Sequence, residues 1–334
     1  MFTFGMRAEA QHFDPLILLL LAIVFDAYLG DMTLLFRRIK HPVVLIGDLV
    51  GWLGRHLNRE KRSQMDRAVR GAFVVLFVVL VTGFVGAGVS WLSLHHTFGW
   101  PLELLLLTIL LAGRGLYDHV KAVVKAFEFG LEPAREAVSH IVGRDPSVLD
   151  EHGICRAAIE SLAENLNDGV VAPVFWYILF GFPGLLVYKA VNTMDSMIGH
   201  RTEKYRAFGM TAARLDDVLN LIPARLTGLF LVLAAIFVPT ANPWNALKAL
   251  LRDSGKHRSP NAGWCEAAMA GALNIALAGP RRYANTVIDD AWMGDGTAKV
   301  RVKDIDRALY MYIVASLVNA AWLGAIAIIR FDIL

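Results

Sequence analysis

The chain has 334 residues and a net charge of +3, and 56% of its residues are hydrophobic. Its mean hydropathy is +0.48, which is typical of membrane proteins. Lys and Arg cluster beside apolar runs, as the positive-inside rule predicts, so nucleic acid is not an expected partner. The two cysteines, Cys155 and Cys265, are far apart and in no metal-ligand spacing, which argues against a disulfide framework and a zinc site and favours two structural thiols.

Apolar runs predict where the chain crosses the bilayer. Four spans are expected, near residues 15–30, 71–94, 101–113 and 308–329. The second and fourth most clearly reach the roughly 20 residues that a spanning helix needs. No small-residue cleavage site follows the first run, which is therefore expected to be a retained span and not a signal peptide. No linker divides the chain, so residues 1–334 are predicted to form a single integral membrane domain.

The distribution of positive charge predicts the orientation. Residues 31–70 contain nine Lys and Arg, whereas residues 92–101 contain none. The first loop should therefore face the cytosol and the second the opposite side. Cytosolic loops are expected near residues 31–70, 114–169, 192–220 and 240–307. The protein is expected in the cell (inner) membrane, with its active site facing the cytosol.

The run at residues 170–191 is predicted to be irregular. A full crossing would put the five Lys and Arg of residues 192–225 outside, against the charge rule. A re-entrant hairpin broken at the Gly-Phe-Pro-Gly sequence 181–184 avoids this, and a kinked ordinary span is the alternative. A further irregular segment is expected at 221–239 or at 264–279. The predicted fold is all-α: a polytopic helical membrane protein with a re-entrant hairpin and cytosolic helical loops.

Carboxylates recur every four residues just before this run. Glu160, Glu164 and Asp168 should lie on one face of a helix, with Asn165 beside them. Mg²⁺, often carrying substrate phosphates, is the natural partner of such oxygens. A solvated acidic helix face is the alternative, and the membrane segment that follows at once favours the functional interpretation.

Polar residues follow the run in two further groups. Asp195 is a candidate ligand of a metal or an amine, and Arg201, Lys204 and Arg206 are candidate phosphate ligands. Snorkelling to lipid headgroups is the alternative for each of these cations. The first group contains Lys189, Asn192, Asp195, Ser196, Arg201, Lys204 and Tyr205, and the second Asp216, Asp217, Asn220 and Arg225. Helix N-terminal charge would explain Asp216, but it explains Asp217 and Asn220 less well.

Other motifs are weaker. Asp26 and Asp31 form an acidic pair at the end of the first span, where an ionisable group is a functional candidate. Ser259 or Asn261 is expected to cap the small-residue helix that follows. No Walker loop, GxGxxG, HExxH or GxSxG motif occurs, so any nucleotide must be held in another way.

Taken together, these motifs resemble the membrane-bound adenosylcobinamide-phosphate synthases of cobalamin biosynthesis. The resemblance covers nearly the whole chain. It includes the segments 26–31, 41–47, 143–145, 160–169, 188–197, 216–225, 259–263 and 266–273. The chain departs from the family pattern at Met32, where Pro is usual, at His200, where Tyr is usual, and at Asn274 and Ala278, near which Gly is usual.

The resemblance implies amide-bond formation between adenosylcobyric acid and (R)-1-aminopropan-2-ol phosphate or ethanolamine phosphate, with ATP and Mg²⁺. Other cobalamin-pathway enzymes and the lipid bilayer are expected partners. The implied catalytic residues are Glu160, Glu164, Asn165, Asp168, Asn192, Asp195 and Ser196. The implied phosphate and substrate ligands are Lys189, Arg201, Lys204, Tyr205, Asp217, Asn220 and Arg225, and the implied Mg²⁺ ligands are Glu164, Asp168, Asp216 and Asp217. The alternative is a non-catalytic membrane sensor or transporter of the same fold.

Overall fold

The computed structural model describes residues 13–30, 32, 36–143, 146–283, 286–288 and 290–333. Asp31, Arg144 and Asp145, which belong to motifs noted above, lie outside the described residues. The described helices are α1 (Pro15–Leu29), α2 (Pro42–Leu57), α3 (Gln64–His95), α4 (Trp100–Leu110), α5 (Gly113–Ala126), α6 (Leu131–Ser139), α7 (Glu151–Leu166), α8 (Ala172–Ile198), α9 (Met210–Leu219), α10 (Leu221–Phe237), α11 (Pro243–Asp253), α12 (Ala262–Leu273) and α13 (Val302–Ile333).

The strands of the described residues are only two or three residues long. They are β1 (Leu277–Ala278), β2 (Arg281–Tyr283), β3 (Thr286–Ile288) and β4 (Trp292–Met293). β1 pairs antiparallel with β4, and β2 with β3. The predicted all-α class is therefore confirmed.

Helix starts follow from local sequence signals. Pro15 opens α1 after Asp14, whose carboxylate accepts the N–H of Leu16 at 2.8 Å. Pro42 opens α2 after His41, whose Nδ1 accepts the N–H of Val43 at 3.1 Å. Both prolines stand where the missing N–H costs nothing. The hydroxyl of Ser259 accepts the N–H of Ala262 at 3.3 Å, so its predicted capping role at α12 is confirmed.

Several helices are apolar and long enough to cross a bilayer. Within the described residues these are Gln64–His95, Trp100–Phe129, Glu151–Ile198 and Val302–Arg330, and a fifth results if α9 and α10 count as one span. They overlap the runs predicted at 71–94, 101–113, 170–191 and 308–329. α1 is apolar but has 15 residues, so it is shorter than a full hydrocarbon core requires. The protein is a polytopic α-helical membrane protein.

α8 is broken where the sequence places Gly and Pro. Gly181 has φ 66° and ψ −157°, a conformation that is essentially restricted to glycine. The predicted break is thus present, and the re-entrant hairpin stays a prediction. The run at 264–279 forms the 12-residue α12 and the short strand β1, which is not a helix of spanning length.

The chain divides into two compact units. The first contains residues 1–112, 172–220 and 323–334, and the second contains residues 113–171 and 221–322. Each unit is assembled from separate segments of the chain. No single boundary in the sequence separates the two units.

Close backbone approaches hold the first unit together. α3 packs along α8, and a Cβ on Gly86 of α3 would lie 2.7 Å from the Cα of Pro183. α2 packs on the last part of α8, where a Cβ on Gly47 would lie 3.3 Å from the sulfur of Met197. Small residues let these helices approach closely, as is usual between membrane helices.

The second unit has its own hydrophobic core, built from α5, α6, α7 and α10 to α13. α12 is at its centre and is almost entirely buried. A Cβ on Gly271 of α12 would lie 2.3 Å from the carbonyl oxygen of Asn245 in α11, so the small residues of α12 are required by packing.

Candidate functional site

An arginine-rich pocket of about 440 Å³ lies in the first unit. We call it the arginine pocket. It is lined by Gly199, His200, Arg201, Arg206, Met210, Ala213, Arg214 and Asp217. Three guanidinium groups and one carboxylate meet there. Guanidinium groups bind phosphate oxygens through paired hydrogen bonds, so the pocket suits a phosphate that carries a cationic group.

One wall of the arginine pocket is a single face of α9. Met210, Ala213, Arg214 and Asp217 follow the spacing i, i+3, i+4 and i+7, which aligns side chains on one side of a helix. Sequence reasoning missed Arg214. The helical spacing from Asp217, a predicted ligand, was the signal that would have found it.

The segment between α8 and α9 supplies the other wall. Its turn is closed at Thr202, whose carbonyl oxygen accepts the N–H groups of Tyr205 at 3.0 Å and Arg206 at 2.8 Å. A Cβ on Gly209 would lie 1.6 Å from the carbonyl oxygen of Ile198, so the segment returns tightly to the end of α8. This turn brings Arg201 and Arg206 to the same pocket.

A partly buried polar network joins α8 to α9 beside the pocket. The hydroxyl of Tyr188 donates to the side-chain oxygen of Asn220 at 3.0 Å. The amide of Asn220 donates to Asp216 at 3.0 Å, and the amide of Asn192 donates to the other oxygen of Asp216 at 3.4 Å. The predicted residues Asn192, Asp216 and Asn220 are therefore brought together, and Tyr188 joins them.

The remaining predicted residues of the first unit lie around these two features. Lys189 is buried in α8, and Asp195 is partly buried near its end. A Cβ on Gly199 would lie 1.9 Å from an Asp195 carboxylate oxygen, so glycine is required there. Ser196 is exposed. The Lys204 ammonium lies 5.2 Å from the centre of the Tyr205 ring, and neither residue is among those that line the arginine pocket.

The other predicted residues belong to the second unit. A carboxylate oxygen of Glu160 accepts the backbone N–H of Ala278 at 2.8 Å in a buried position. Glu160 therefore links α7 to β1. Glu164, one turn further along α7, is exposed. The amide of Asn165 donates to the carbonyl oxygen of Ser161 at 2.9 Å, and Asp168 accepts from Asn167 at 2.8 Å. Asp168 lies in a π-helical turn at Asn167–Val171, a feature that is frequent at functional sites.

Arg225 is held by its neighbours in the second unit. Its guanidinium carbon lies 4.6 Å from the centre of the Trp264 ring, and one of its nitrogens donates to the side-chain oxygen of Asn261 at 3.2 Å. The neighbouring Cys265 is buried, and burial raises the pKa of its thiol well above the usual value, as do the nearby carboxylates of Asp168 and Glu164. An unreactive structural thiol is the consequence.

Comparisons with known proteins identify the family. The family model for "CobD/Cbib protein" matches residues 19–312. The chain belongs to the CobD/Cbib family. It is 46% identical over 323 residues to the "Cobalamin biosynthesis protein CobD" of Sinorhizobium sp, covering 94% of this chain and 98% of that protein. It is 47% identical to the protein of the same name from Brucella melitensis, over 89% of this chain and 92% of that protein. The protein of the same name from Rhodobacter capsulatus is 48% identical, over 88% of this chain and 92% of that protein. No solved structure matches the chain.

Three departures from the expected CobD/Cbib pattern fall at residues with positive φ, and one of them is Met32, with φ of 25°. Asn274 and Ala278 have φ of 55° and 56°, in the left-handed region that favours glycine. Asn tolerates this region better than other residues, and the Glu160 carboxylate holds the N–H of Ala278. The fourth departure, His200, lines the arginine pocket.

The predicted Mg²⁺ ligands of this CobD/Cbib protein divide between the units. Asp216 and Asp217 are in the first unit, and Glu164 and Asp168 are in the second. Among the described residues, no three Asp, Glu, His or Cys side chains are grouped so as to hold a metal ion. Mg²⁺ commonly keeps several waters and binds one or two carboxylates together with substrate phosphates. Asp217 shares the arginine pocket with three cationic side chains, which would repel Mg²⁺ unless a phosphate lay between them.

Proposed function

We propose that this protein acts in cobalamin biosynthesis as an amide-forming ligase of the cell membrane. In this proposal it joins a propionate carboxylate of adenosylcobyric acid to (R)-1-aminopropan-2-ol phosphate, or to ethanolamine phosphate, and produces adenosylcobinamide phosphate. Membership of the CobD/Cbib family supports the pathway, since relatives that match over most of their length are named cobalamin biosynthesis proteins.

The arginine pocket is the observation that supports the substrate class. An amino-alcohol phosphate carries a phosphate at one end and an ammonium at the other. Arg201, Arg206 and Arg214 would bind the phosphate, and Asp217 would bind the ammonium. A pocket with this combination of charges would disfavour a simple amine or a neutral alcohol, because its guanidinium groups would then be left without an anion.

A carboxylate is a poor acyl donor. ATP would transfer its terminal phosphoryl group to the propionate carboxylate, releasing ADP and giving an acyl phosphate. The amine would then displace inorganic phosphate as the amide bond forms. Mg²⁺ would be held at Asp216 in the first unit or at Glu164 or Asp168 in the second, and it would neutralise phosphate charge.

The amine must lose a proton before its nitrogen can form the amide bond. Within the first unit, we propose that Asp195, near the end of α8, accepts this proton from the amine. Gly199, which lines the pocket, accommodates the Asp195 carboxylate beside it. A carboxylate can act as this base when its pKa is tuned towards the working pH. Asp195→Ala should abolish turnover without affecting membrane insertion.

Mass spectrometry of the purified, detergent-solubilised protein tests the proposal. The reaction contains adenosylcobyric acid, aminopropanol phosphate, Mg²⁺ and ATP, with an ATP-free control. Phosphorylated cobinamide should form only with ATP. Arg214→Ala should raise the KM for the amino-alcohol phosphate by about 10-fold or more, since a hydrogen bond between charged groups is worth roughly 1.5–3 kcal/mol.

Arg59→Ala is the matched control, because Arg59 is an exposed arginine of the α2–α3 loop. It should leave the KM for the amino-alcohol phosphate unchanged. The absence of product with either amino-alcohol phosphate, in protein that still binds the corrinoid, would contradict the ligase. It would favour the alternative of a membrane sensor or transporter.

A further inference from the structure

The arginine pocket depends on a turn that has no regular secondary structure. Arg201 and Arg206 stand on either side of this turn, in the segment that joins α8 to α9. Most of the side chains from Arg201 to Arg206 are exposed, so they contribute little packing of their own. Something else must hold the turn if the two guanidinium groups are to face one ligand.

Two residues of the α2–α3 region hold the backbone of this turn. The amide of Asn58 donates to the carbonyl oxygen of Lys204 at 2.8 Å. The guanidinium of Arg67 donates to the same carbonyl oxygen, and to that of Glu203 at 3.4 Å. Arg67 Nε also donates to the side-chain oxygen of Asn58 at 3.0 Å, so the two side chains fix each other. We call Asn58 and Arg67 the carbonyl clamp.

Burial makes the carbonyl clamp stronger than a surface contact. Arg67 is only 3% exposed, although it is a charged residue in the first turn of α3. A buried guanidinium must have its donors satisfied, and carbonyl oxygens of the turn satisfy them here. Displacing the turn would leave those donors without acceptors, which is costly in a buried position.

The same face of α3 contacts the turn a second time. Gly71 lies four residues after Arg67, and a Cβ there would lie 1.8 Å from the carbonyl oxygen of Phe208. Phe208 is completely buried. The segment is thus held at residues 203–204 by hydrogen bonds and at residue 208 by close packing, with Arg206 between the two points.

We propose that Asn58 and Arg67 are positioning residues for the phosphate ligand of the arginine pocket. They touch no substrate; they fix the peptide groups between Arg201 and Arg206 so that both guanidinium groups face one phosphate. The inference rests on the proposed function, since it takes the arginine pocket as the phosphate site.

Binding of inorganic phosphate to the purified full-length protein, measured by calorimetry in detergent, tests this role. Asn58→Ala should weaken phosphate binding by about 5-fold to 10-fold, because its hydrogen bond to Lys204 and the one that fixes Arg67 are both lost. Arg67→Ala should weaken it further. In the assay of product formation, Asn58→Ala should raise the KM for the amino-alcohol phosphate while kcat changes less than twofold.

Lys61→Ala is the matched control, because it removes an exposed cation from the same loop without touching the clamp. It should bind phosphate like the unmodified protein. A purely structural role would lower the thermal midpoint without changing the affinity for phosphate. The affinity is therefore measured well below the temperature at which each variant begins to unfold. Where Arg67→Ala does not fold, Asn58→Ala alone decides the question.

The outcomes separate the two proposals. If the unmodified protein and Arg206→Ala bind phosphate equally, or neither binds it, the arginine pocket is not the phosphate site and the clamp proposal fails with it. If Arg206→Ala loses binding but Asn58→Ala and Arg67→Ala bind as tightly as the unmodified protein, the pocket stands and the clamp is overturned.

Discussion

Asp216 and Asp217 show how neighbouring residues take different roles. Successive residues on a helix point about 100° apart, so the two carboxylates face different surroundings. Asp216 accepts hydrogen bonds from Asn192 and Asn220, and Asp217 faces the arginine pocket. The sequence named both as Mg²⁺ ligands and only Asp217 as a substrate ligand, and the structure gives each carboxylate its own neighbours.

Substitution by Asn should separate the two roles. Asp216→Asn puts an amide donor against the donors of Asn192 or Asn220, and should lower the free energy of unfolding by about 1–3 kcal/mol. Asp217→Asn should leave stability unchanged and raise the KM for the amino-alcohol phosphate by about 10-fold, because a charged partner of the ammonium is lost. Thermal unfolding in detergent and steady-state kinetics measure the two effects. Equal effects of the two variants on both quantities would contradict this division.

At the scale of an element, α8 depends on one glycine. Gly181 adopts a φ/ψ combination that a side chain makes strained by about 1–3 kcal/mol. Pro183, two residues later, lies against Gly86 of α3. The break is therefore fixed from both sides, by its own backbone and by the helix packed on it.

Gly181→Ala should lower the yield of folded protein and its thermal midpoint. Gly88→Ala is the control, because Gly88 is also a helical glycine of the first unit but has no atom within 4 Å of the added Cβ. It should be neutral or slightly stabilising, since alanine favours helix. Fluorescence-detected size exclusion before and after heating measures the yield of folded protein and the thermal midpoint of each variant. A Gly181→Ala protein as stable as Gly88→Ala would show that the break tolerates a side chain.

The end of α11 depends on a buried carboxylate that is held by two partly exposed cations. Asp253 is fully buried and accepts hydrogen bonds from Arg252 at 2.6 and 2.8 Å, Lys256 at 2.7 Å and the N–H of Gly294 at 2.9 Å. Burial alone raises the pKa of Asp253, but these hydrogen bonds outweigh it and hold the pKa well below its usual value. The charged form is thus stabilised by folding.

Asp253→Asn should lower the free energy of unfolding near neutral pH by about 2 kcal/mol, since both cations are partly exposed and the loss stays below that of a fully buried pair. A lowered pKa stabilises the fold above the unfolded value of about 3.9, and this stabilisation is lost as pH falls through the folded value. The gap between the original protein and Asp253→Asn should therefore be constant from pH 8 to about pH 5 and narrow below pH 4. A gap that widens in acid would refute the assignment.

At the scale of the whole molecule, charge distribution predicts the topology. Nine Lys and Arg between residues 31 and 70, and none between 92 and 101, favour a cytosolic α2–α3 region. That region carries the carbonyl clamp, so we propose that the arginine pocket also faces the cytosol. The soluble substrates would then reach it directly.

Cysteine labelling checks this orientation. Lys61→Cys should react with a membrane-impermeant maleimide only in inside-out vesicles, and Thr97→Cys only in intact spheroplasts. Both positions are exposed, and the two native cysteines are buried, so background labelling should be low. Labelling of both variants from the same side would contradict the proposed topology.

The sequence alone determined the fold class, the family resemblance and most of the membrane helices. These features depend on local or additive properties of the sequence, namely the length of apolar runs, the capping residues, the Gly-Pro break in α8 and the sequence motifs. Capping by Ser259 and the break at Gly181 are local in the same way, and both are present.

Only the tertiary structure decided which polar residues meet. It placed Arg214 with Arg201 and Arg206, gave Glu160 a backbone partner at Ala278, and brought Asn58 and Arg67 to a turn more than 130 residues away in sequence. It also divided the chain into two units built from separate segments. A sequence read residue by residue does not contain these pairings, because they depend on helix packing between segments that are distant in the chain.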